Sequence, residues 1–495
     1  MKQFKVVSAL MGSGKTREFI NWAKHEERVL LAVPKINLAE SVAKRMRTEG
    51  INPTVIHSNQ SEESRTADRL SDALAGGEGH IVTTQASLLN VSPSLLKGWK
   101  VVVDEVPSLN KYQRTKIVPF SAFHALFDEF VKVDEDTDVC GYQGFITQDE
   151  MREQFFKYQG TEETSCEVMF RGMSSSTARV SVERRPKGFI IKSVDYHDWR
   201  PIVESAEEFT VMGAAVHCWL FYWHLVLHGF EPVMNEELQP SFKGYKIPPV
   251  LVPMVDTPNL SKTIMTTLPD GTVSENNKFT RECFGQDVAD NAVSVMDGGK
   301  KTIVQTHKWM MPAFKGKKNL ELIDFDSRGT NDHNEVTQSI NIIHGNPEPI
   351  EKQMILEMFE LMGFEEDHID HCLGCIRHER FLDPLAQAIL RTNQREVDNQ
   401  TQQVKVAVPT LNDATALEEM LEGAVIDKSQ MLKPYKKAPS KEAMAKDELI
   451  KAVCKRWSEM QESRKPNGKK WTQKDLMAEF GIKCPKTLRG YLKAA

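Results

Sequence analysis

Over its first hundred residues the chain alternates short β-branched runs with helix-like segments, and this alternation limits the possible folds more than any other feature. Residues 4–10, 29–33, 55–57, 81–84 and 101–103 read as strands, and residues 15–24 and 38–48 as helices. The run Val29-Leu30-Leu31-Ala32-Val33 has no polar alternation, so both of its faces must be covered. Strands of this kind separated by helices form a parallel sheet with helices on both sides. Such sheets bind ligands at the carboxyl ends of their strands.

One of those ends carries Ala9-Leu10-Met11-Gly12-Ser13-Gly14-Lys15-Thr16, after a strand and opening a helix. In that context Gly12, Ser13 and Gly14 can turn backbone amides onto phosphates, Lys15 supplies a point charge, and the Thr16 hydroxyl can hold magnesium. The usual signature has glycine where Ala9 stands, so these eight residues leave open a glycine-rich turn with a solvated lysine. The second requirement is a carboxylate at the end of another buried strand. Val101-Val102-Val103-Asp104-Glu105 provides it, with Asp104 suited to the metal and Glu105 to polarising an attacking water. An acidic pair at a strand end commonly just faces solvent. Set on the same sheet edge as Lys15, it makes a nucleotide-hydrolysing site.

A length of 495 residues exceeds what one hydrophobic core supports, and about three domains are expected. The first α/β domain is read over residues 1–109 and 209–234, with 110–208 as an insertion containing a strand at 188–193. Residues 214–230 form an apolar run interrupted by His217, His224 and His228, short for a membrane span and read as a buried helix. Residues 235–300, rich in Pro, Asp and Gly, read as a connecting region. A second alternating stretch, with strands at 301–306, 322–325 and 340–343 and a helix from 384 to about 396, gives a second α/β domain over 301–400. Residues 401–445 are polar and proline-spaced, and read as a linker.

The formal net charge of −6 hides an asymmetry. Residues 431–495 carry 17 Lys and Arg against 7 Asp and Glu, a net +10 that leaves −16 on the remainder. A basic end on an acidic body points to a tethered module that binds a polyanion. Within residues 446–495, Thr472 reads as an N-cap, Leu476 and Phe480 share a face, and Gly481 stops the helix. Residues 486–492 then form a second helix. The pair resembles a helix-turn-helix, with Lys486, Thr487 and Arg489 placed to meet DNA, the alternative being a small helical cap whose lysines serve solubility. The 8 cysteines show no disulfide spacing and the chain opens on a strand, so a reducing cytoplasm is expected. His368, His371, Cys372 and Cys375 fall on one face of one helix, with His378 beyond. A tetrahedral zinc site draws on at least two elements, so a packed helix face is the preferred reading over a metal site.

Taken together, these motifs resemble those of the superfamily 2 helicases and translocases, in the form found in bacteriophage and plasmid replication genes. That resemblance accommodates Ala9 and implies two RecA-like motor domains, ATP and Mg2+ as cofactors, and DNA as partner, with replication proteins as further partners. Asp104-Glu105-Val106-Pro107 departs from the family's second motif at its last two positions. Pro34 and Lys35 match motif Ia, and Thr83 and Thr84 motif Ib, both of which imply contacts to the nucleic-acid backbone. Residues 211–215 resemble motif III. Arg328, Gly329 and Asn331 fall in a stretch resembling motif V, which faces ATP and nucleic acid, the alternative being a polar turn. Gln387, Arg391 and Arg395 resemble motif VI, whose arginines reach the γ-phosphate, although the last arginine stands four residues after the previous one rather than three. At that spacing Arg391 and Arg395 are expected on one helix face. The implied activity is ATP-dependent DNA unwinding or translocation, and the alternative is an ATP-gated DNA-binding switch or replication-initiation factor.

Overall fold

The computed structural model describes residues 2–10, 12–59, 65–77, 79–115, 117–127, 131–133, 140–142, 179–242, 244–323, 333–347, 349–395, 400–438, 441–464, 470–482 and 484–493. Strands β1 (Lys2–Ser8), β2 (Val29–Val33), β3 (Thr54–Ile56), β4 (His80–Thr84) and β5 (Lys100–Asp104) come from the first hundred residues. An excursion follows through β6 (Asn110–Arg114), β7 (Val131–Val133), β8 (Cys140–Tyr142), β9 (Arg179–Arg185) and β10 (Gly188–Tyr196). The chain then returns with β11 (Glu208–Gly213) and β12 (Phe230–Met234). Seven of these strands make one parallel sheet in the order β12-β1-β11-β5-β2-β4-β3.

That order explains the apolar runs. β2 lies between β5 and β4 and is buried at all five positions. Helices Lys15–Ala23 and Ile36–Thr48 cover one face through Phe19, Ile20, Val42 and Met46, while Leu70, Trp99, Trp199 and Phe221 cover the other. Each large side chain removed from water there contributes roughly 1.5–3 kcal/mol. The apolar run after β11 departs from the expected single helix. Ala215 takes a left-handed turn (φ 46), a 3-10 turn spans Val216–Cys218, and only Leu220–Leu227 is α-helical. His228 and Gly229 form a turn, and Phe230, the last residue of the run, opens the edge strand β12 with its ring in the core.

The second parallel sheet contains β13 (Val250–Val255), β14 (Thr302–Thr306), β15 (Leu320–Ile323), β16 (Gln338–Ile342), β17 (Lys405–Thr410) and β18 (Val425–Ile426). Its order is β15-β14-β16-β17-β13-β18. The expected boundaries of 301–400 are therefore too narrow. β13 lies in the stretch read as a connector, and β17, in the stretch read as a linker, pairs with both β16 and β13. Pro253 and Pro409 hid these strands, since proline lacks the ladder N–H and is disfavoured inside sheets.

Two further groups matter for the site. In the inserted region, β10 pairs antiparallel with β6 and β9. Helices Pro349–Leu361 and Ile369–Arg377 place Met354, Met358, Phe359 and Ile376 in the same core as Val101, Val211 and Phe221 of the first domain. This helical excursion of the second half is thus packed into the first.

Thr263–Gln286 and Pro434–Ala495 make a separate compact unit, larger than the expected 446–495 module. Helices Lys441–Glu462, Gln473–Glu479 and Pro485–Lys493 enclose Val453, Met460, Leu476 and Leu488. Thr472 caps the middle helix through a reciprocal bond with Asp475. Residues 434–438 lie against a turn of the other segment, where the Ala438 N–H donates to Gly271 O at 2.7 Å. A Cβ on Gly271 (φ 83) would come within 2.3 Å of the Lys436 carbonyl, so the approach requires glycine. Among the described residues, no helix is long and apolar enough to cross a membrane.

Candidate active site

The phosphate-loop residues follow from β1. The Ala9 N–H donates to Gly213 O at 3.0 Å, anchoring the loop to the end of β11. Gly12 (φ 76) and Gly14 (φ 91) take left-handed conformations that side chains resist, and Ser13 is buried. Helix Lys15–Ala23 begins on Gly14 without a side-chain cap, the arrangement that suits an anion at a helix N-terminus. Lys15 Nζ donates to the carbonyls of Ala9 (2.9 Å) and Leu10 (3.0 Å). Burial lowers its pKa, opposed by the nearby carboxylates of Asp104, Glu105 and Asp383.

β5 delivers the acidic pair. Thr16 Oγ1 donates to Asp104 Oδ2 at 3.3 Å, although the two are 88 residues apart. Asp104 is 5% exposed, and burial raises its pKa against the pull of Lys15 and Thr16. A hydroxyl beside a carboxylate is a hard-oxygen donor pair and fits Mg2+, which keeps several waters and takes few protein ligands. Glu105 sits at φ 63, a conformation that costs a residue with a side chain of the order of 1–3 kcal/mol. Gln85 holds that turn, its Nε2 donating to the carbonyls of Asp104 (3.2 Å) and Glu105 (2.8 Å). Gly213 completes the packing, because a Cβ there would lie 2.4 Å from Val106 Cγ2.

The opposite wall comes from the second domain. A cavity of about 240 Å³ is lined by Gly12, Lys15, Thr16, Asp104 and Glu105 on one side and by Asp383, Gln387, Arg391 and Arg395 on the other. It falls below the roughly 300–1,000 Å³ typical of a whole drug-sized ligand, and suits the phosphate end of a nucleotide. The arginines do not share one helix as expected. Helix Asp383–Ile389 ends, Arg391 lies in the following turn, and Arg395 closes a 3-10 turn, Asn393–Arg395. Asn393 fixes this break by donating from its backbone to Val336 O (2.8 Å) and from its side chain to Asn334 O (3.0 Å). Both arginines still line the cavity, and Arg391 is 5% exposed. Gln387 Nε2 donates to Asp383 Oδ2 at 2.9 Å.

Other expected site residues lie elsewhere. Thr83 is fully buried and its hydroxyl donates to Ile56 O at 2.8 Å, while Thr84 caps helix Gln85–Leu88. Their hydroxyls serve the sheet and the helix start. Pro34 and Lys35 are partly exposed just past β2. Arg328, Gly329 and Asn331 lie outside the described residues. Thr487 and Arg489 are exposed on helix Pro485–Lys493, which also carries Lys486. Cys372 and Cys375 are buried in the shared core, and the Trp223 and His371 rings meet at 4.4 Å. Among the described residues, no group of three His, Cys, Asp or Glu could hold a metal ion.

Three residues of the site escaped sequence reasoning. Asp383 stands four residues before Gln387, and that helical spacing was the available signal. Gln85 directly follows Thr83 and Thr84, and that adjacency was its signal. Arg45, on helix Ile36–Thr48, lines the cavity and acts electrostatically on Asp104, with nothing in its local sequence to mark it.

No family model and no curated protein matches this sequence. Among solved structures, one described as an XPD helicase superposes with a TM-score of 0.50 at 10% identity, over 86% of this chain and 96% of that one. The structure of S. tokodaii Xpd4 gives 0.47 at 11% identity, over 87% and 96%. The first of these likenesses is one of fold, two RecA-like parallel sheets.

Proposed function

We propose that this chain is an ATP-driven helicase or translocase acting on DNA, with hydrolysis in the cleft between its two RecA-like domains. The observation that carries the reading is the convergence of Lys15, Thr16, Asp104 and Glu105 from one sheet with Arg391 and Arg395 from the other on a single cavity. Loop amides and Lys15 bind the β- and γ-phosphates, Lys15 exchanging its carbonyl partners for phosphate oxygens. Glu105 orients and polarises the attacking water, and Arg391 or Arg395 stabilises charge developing on the transferred phosphoryl group. Thr16 and Asp104 would hold magnesium, which would supply neutralisation of phosphate charge. Because the arginines belong to the far wall, the site is complete only when the two walls close, and loss of the γ-phosphate releases them. That cycle is how hydrolysis becomes movement along a strand.

DNA is favoured over RNA by the basic three-helix unit, whose helix Pro485–Lys493 presents Thr487 and Arg489 to solvent. Pro34 and Lys35, just past the carboxyl end of β2, are the proposed strand contacts of the motor. Resemblance to phage and plasmid replication motors supports a role in replication or recombination, beside other replication proteins. The test is ATP hydrolysis with no nucleic acid, single-stranded DNA and RNA, followed by strand displacement from tailed duplexes. DNA-stimulated hydrolysis with displacement is expected for a helicase, and stimulation without displacement for a translocase. Hydrolysis indifferent to nucleic acid would overturn the motor, and stimulation by RNA alone would overturn the choice of DNA.

A further inference from the structure

Glu379 belongs to the second domain by sequence but binds the first. It sits in a π-helical turn, His378–Leu382, that leads directly into helix Asp383–Ile389 of the cleft wall. π-Turns interrupt the regular ladder and recur at functional sites. Glu379 Oε1 accepts the backbone N–H of Leu220 at 2.8 Å, and Oε2 lies 3.0 Å from Ser108 Oγ. Leu220 opens the helix that follows β11, and its cap residue Trp219 supplies no side-chain bond. Glu379 therefore satisfies one of that helix's orphan first-turn amides. Ser108 stands three residues beyond Glu105, on the loop that leaves β5.

We infer that Glu379 is a positioning residue of the phosphate site: it ties the segments leaving β5 and β11 to the π-turn that carries the second domain's share of the cavity. The inference rests on the ATPase reading above and extends it to a residue that does not line the phosphate cavity. The hydrogen-bond arithmetic specifies how the tie is made. A serine hydroxyl has one proton and two acceptor sites. Ser108 Oγ has two acceptors in reach, Glu379 Oε2 and Asn110 O at 3.1 Å, and cannot donate to both at full strength. A neutral Glu379 resolves the conflict: its Oε2–H donates to Ser108 Oγ, Ser108 donates to Asn110 O, and Oε1 still accepts from Leu220.

The surroundings favour that neutral form below about pH 7. Glu379 is partly covered as a residue, but its carboxyl group is ringed by protein, and burial pushes its pKa up to about 7. Asp383 on the same helical segment pushes in the same direction, while the Leu220 amide, Ser108 and Arg380 oppose it. Arg380 is itself paired with Glu351 of helix Pro349–Leu361, and the Cys375 thiol faces Glu379 from helix Ile369–Arg377 with its own pKa raised by burial. With the folded pKa above the ordinary carboxylate value, the relay is intact at lower pH and is lost as pH rises through about 7.

The test compares wild type, E379Q and E379A by ATP turnover with saturating single-stranded DNA, from about pH 6 to about pH 8.5. Glutamine reproduces the neutral acid, with a donor toward Ser108 and an acceptor for Leu220. E379Q is therefore expected to match wild type near pH 6, and to exceed it increasingly above pH 7 because it cannot ionise. E379A is expected to lose about tenfold in kcat with KM for ATP within about threefold, the signature of misplaced groups rather than lost binding. Thermal melting and ATP-analogue binding establish that both variants are folded. An E379A enzyme equal to wild type, or an E379Q enzyme as impaired as E379A, would overturn the assignment of Glu379. A wild-type chain that hydrolyses no ATP would instead overturn the ATPase reading on which it rests.

Discussion

The first wall of the cleft hangs from neighbouring strands: the phosphate loop leaves β1, Gly213 ends β11, Asp104 ends β5, and β11 pairs with both of the others. The second wall is a sequence of short pieces, a π-turn, a seven-residue helix, a turn bearing Arg391 and a 3-10 turn ending at Arg395. Sheet ladders fix the first group of side chains to one another. The second group is held by packing of Leu385, Ala386 and Ile389 in the second domain's core and by individual bonds such as those of Asn393 and Gln387. The difference suits the proposed hydrolysis site, in which one wall would hold the geometry and the other would supply the arginines.

That division is open to direct attack. The largest effect is expected from Glu105→Gln, which should lower ATP turnover by roughly 10³-fold while a fluorescent ATP analogue still binds. Retained turnover would remove Glu105 from its role. Next, Gly213→Ala inserts a methyl group 2.4 Å from Val106 Cγ2, and equilibrium denaturation should report a loss of about 1–3 kcal/mol. A neutral outcome would mean that the junction of β11 with the Glu105 turn is not tightly packed. Gln85→Ala removes both bonds that hold the left-handed Glu105, and steady-state kinetics should show about a tenfold fall in kcat with little change in KM. Asn393→Ala, in the second wall, should cost about 1 kcal/mol in thermal or chemical unfolding, and a loss above about 3 kcal/mol would erase the contrast between the walls.

The same contrast governs what could be read from sequence. β2 and β5 announce themselves because interior parallel strands need apolar residues on both faces, and the carboxyl-end motifs follow from them. β13 and β17 are equally interior, yet Pro253 and Pro409 break their pattern, and only the covering helices and neighbouring strands reveal them. The arginines were legible by spacing from Gln387, but the helix they were placed on ends before them, because Asn393 trades helical bonds for ties to residues 334 and 336. The bond from the Thr83 hydroxyl to Ile56 O, across 27 residues of sequence, is likewise a product of strand pairing that local sequence does not announce. Asp383 and Arg45 enter the site through the approach of separate elements, which local sequence does not encode.

The central claim is that one hydrolysis site is made by both walls, and the double variant Arg391→Ala, Arg395→Ala tests it most directly. Turnover of ATP by this variant in the presence of single-stranded DNA should fall by about 10³-fold or more, with ATP-analogue affinity within a few-fold of wild type and an unchanged melting temperature. Turnover equal to that of wild type would show that the second wall takes no part in hydrolysis, and would contradict the account.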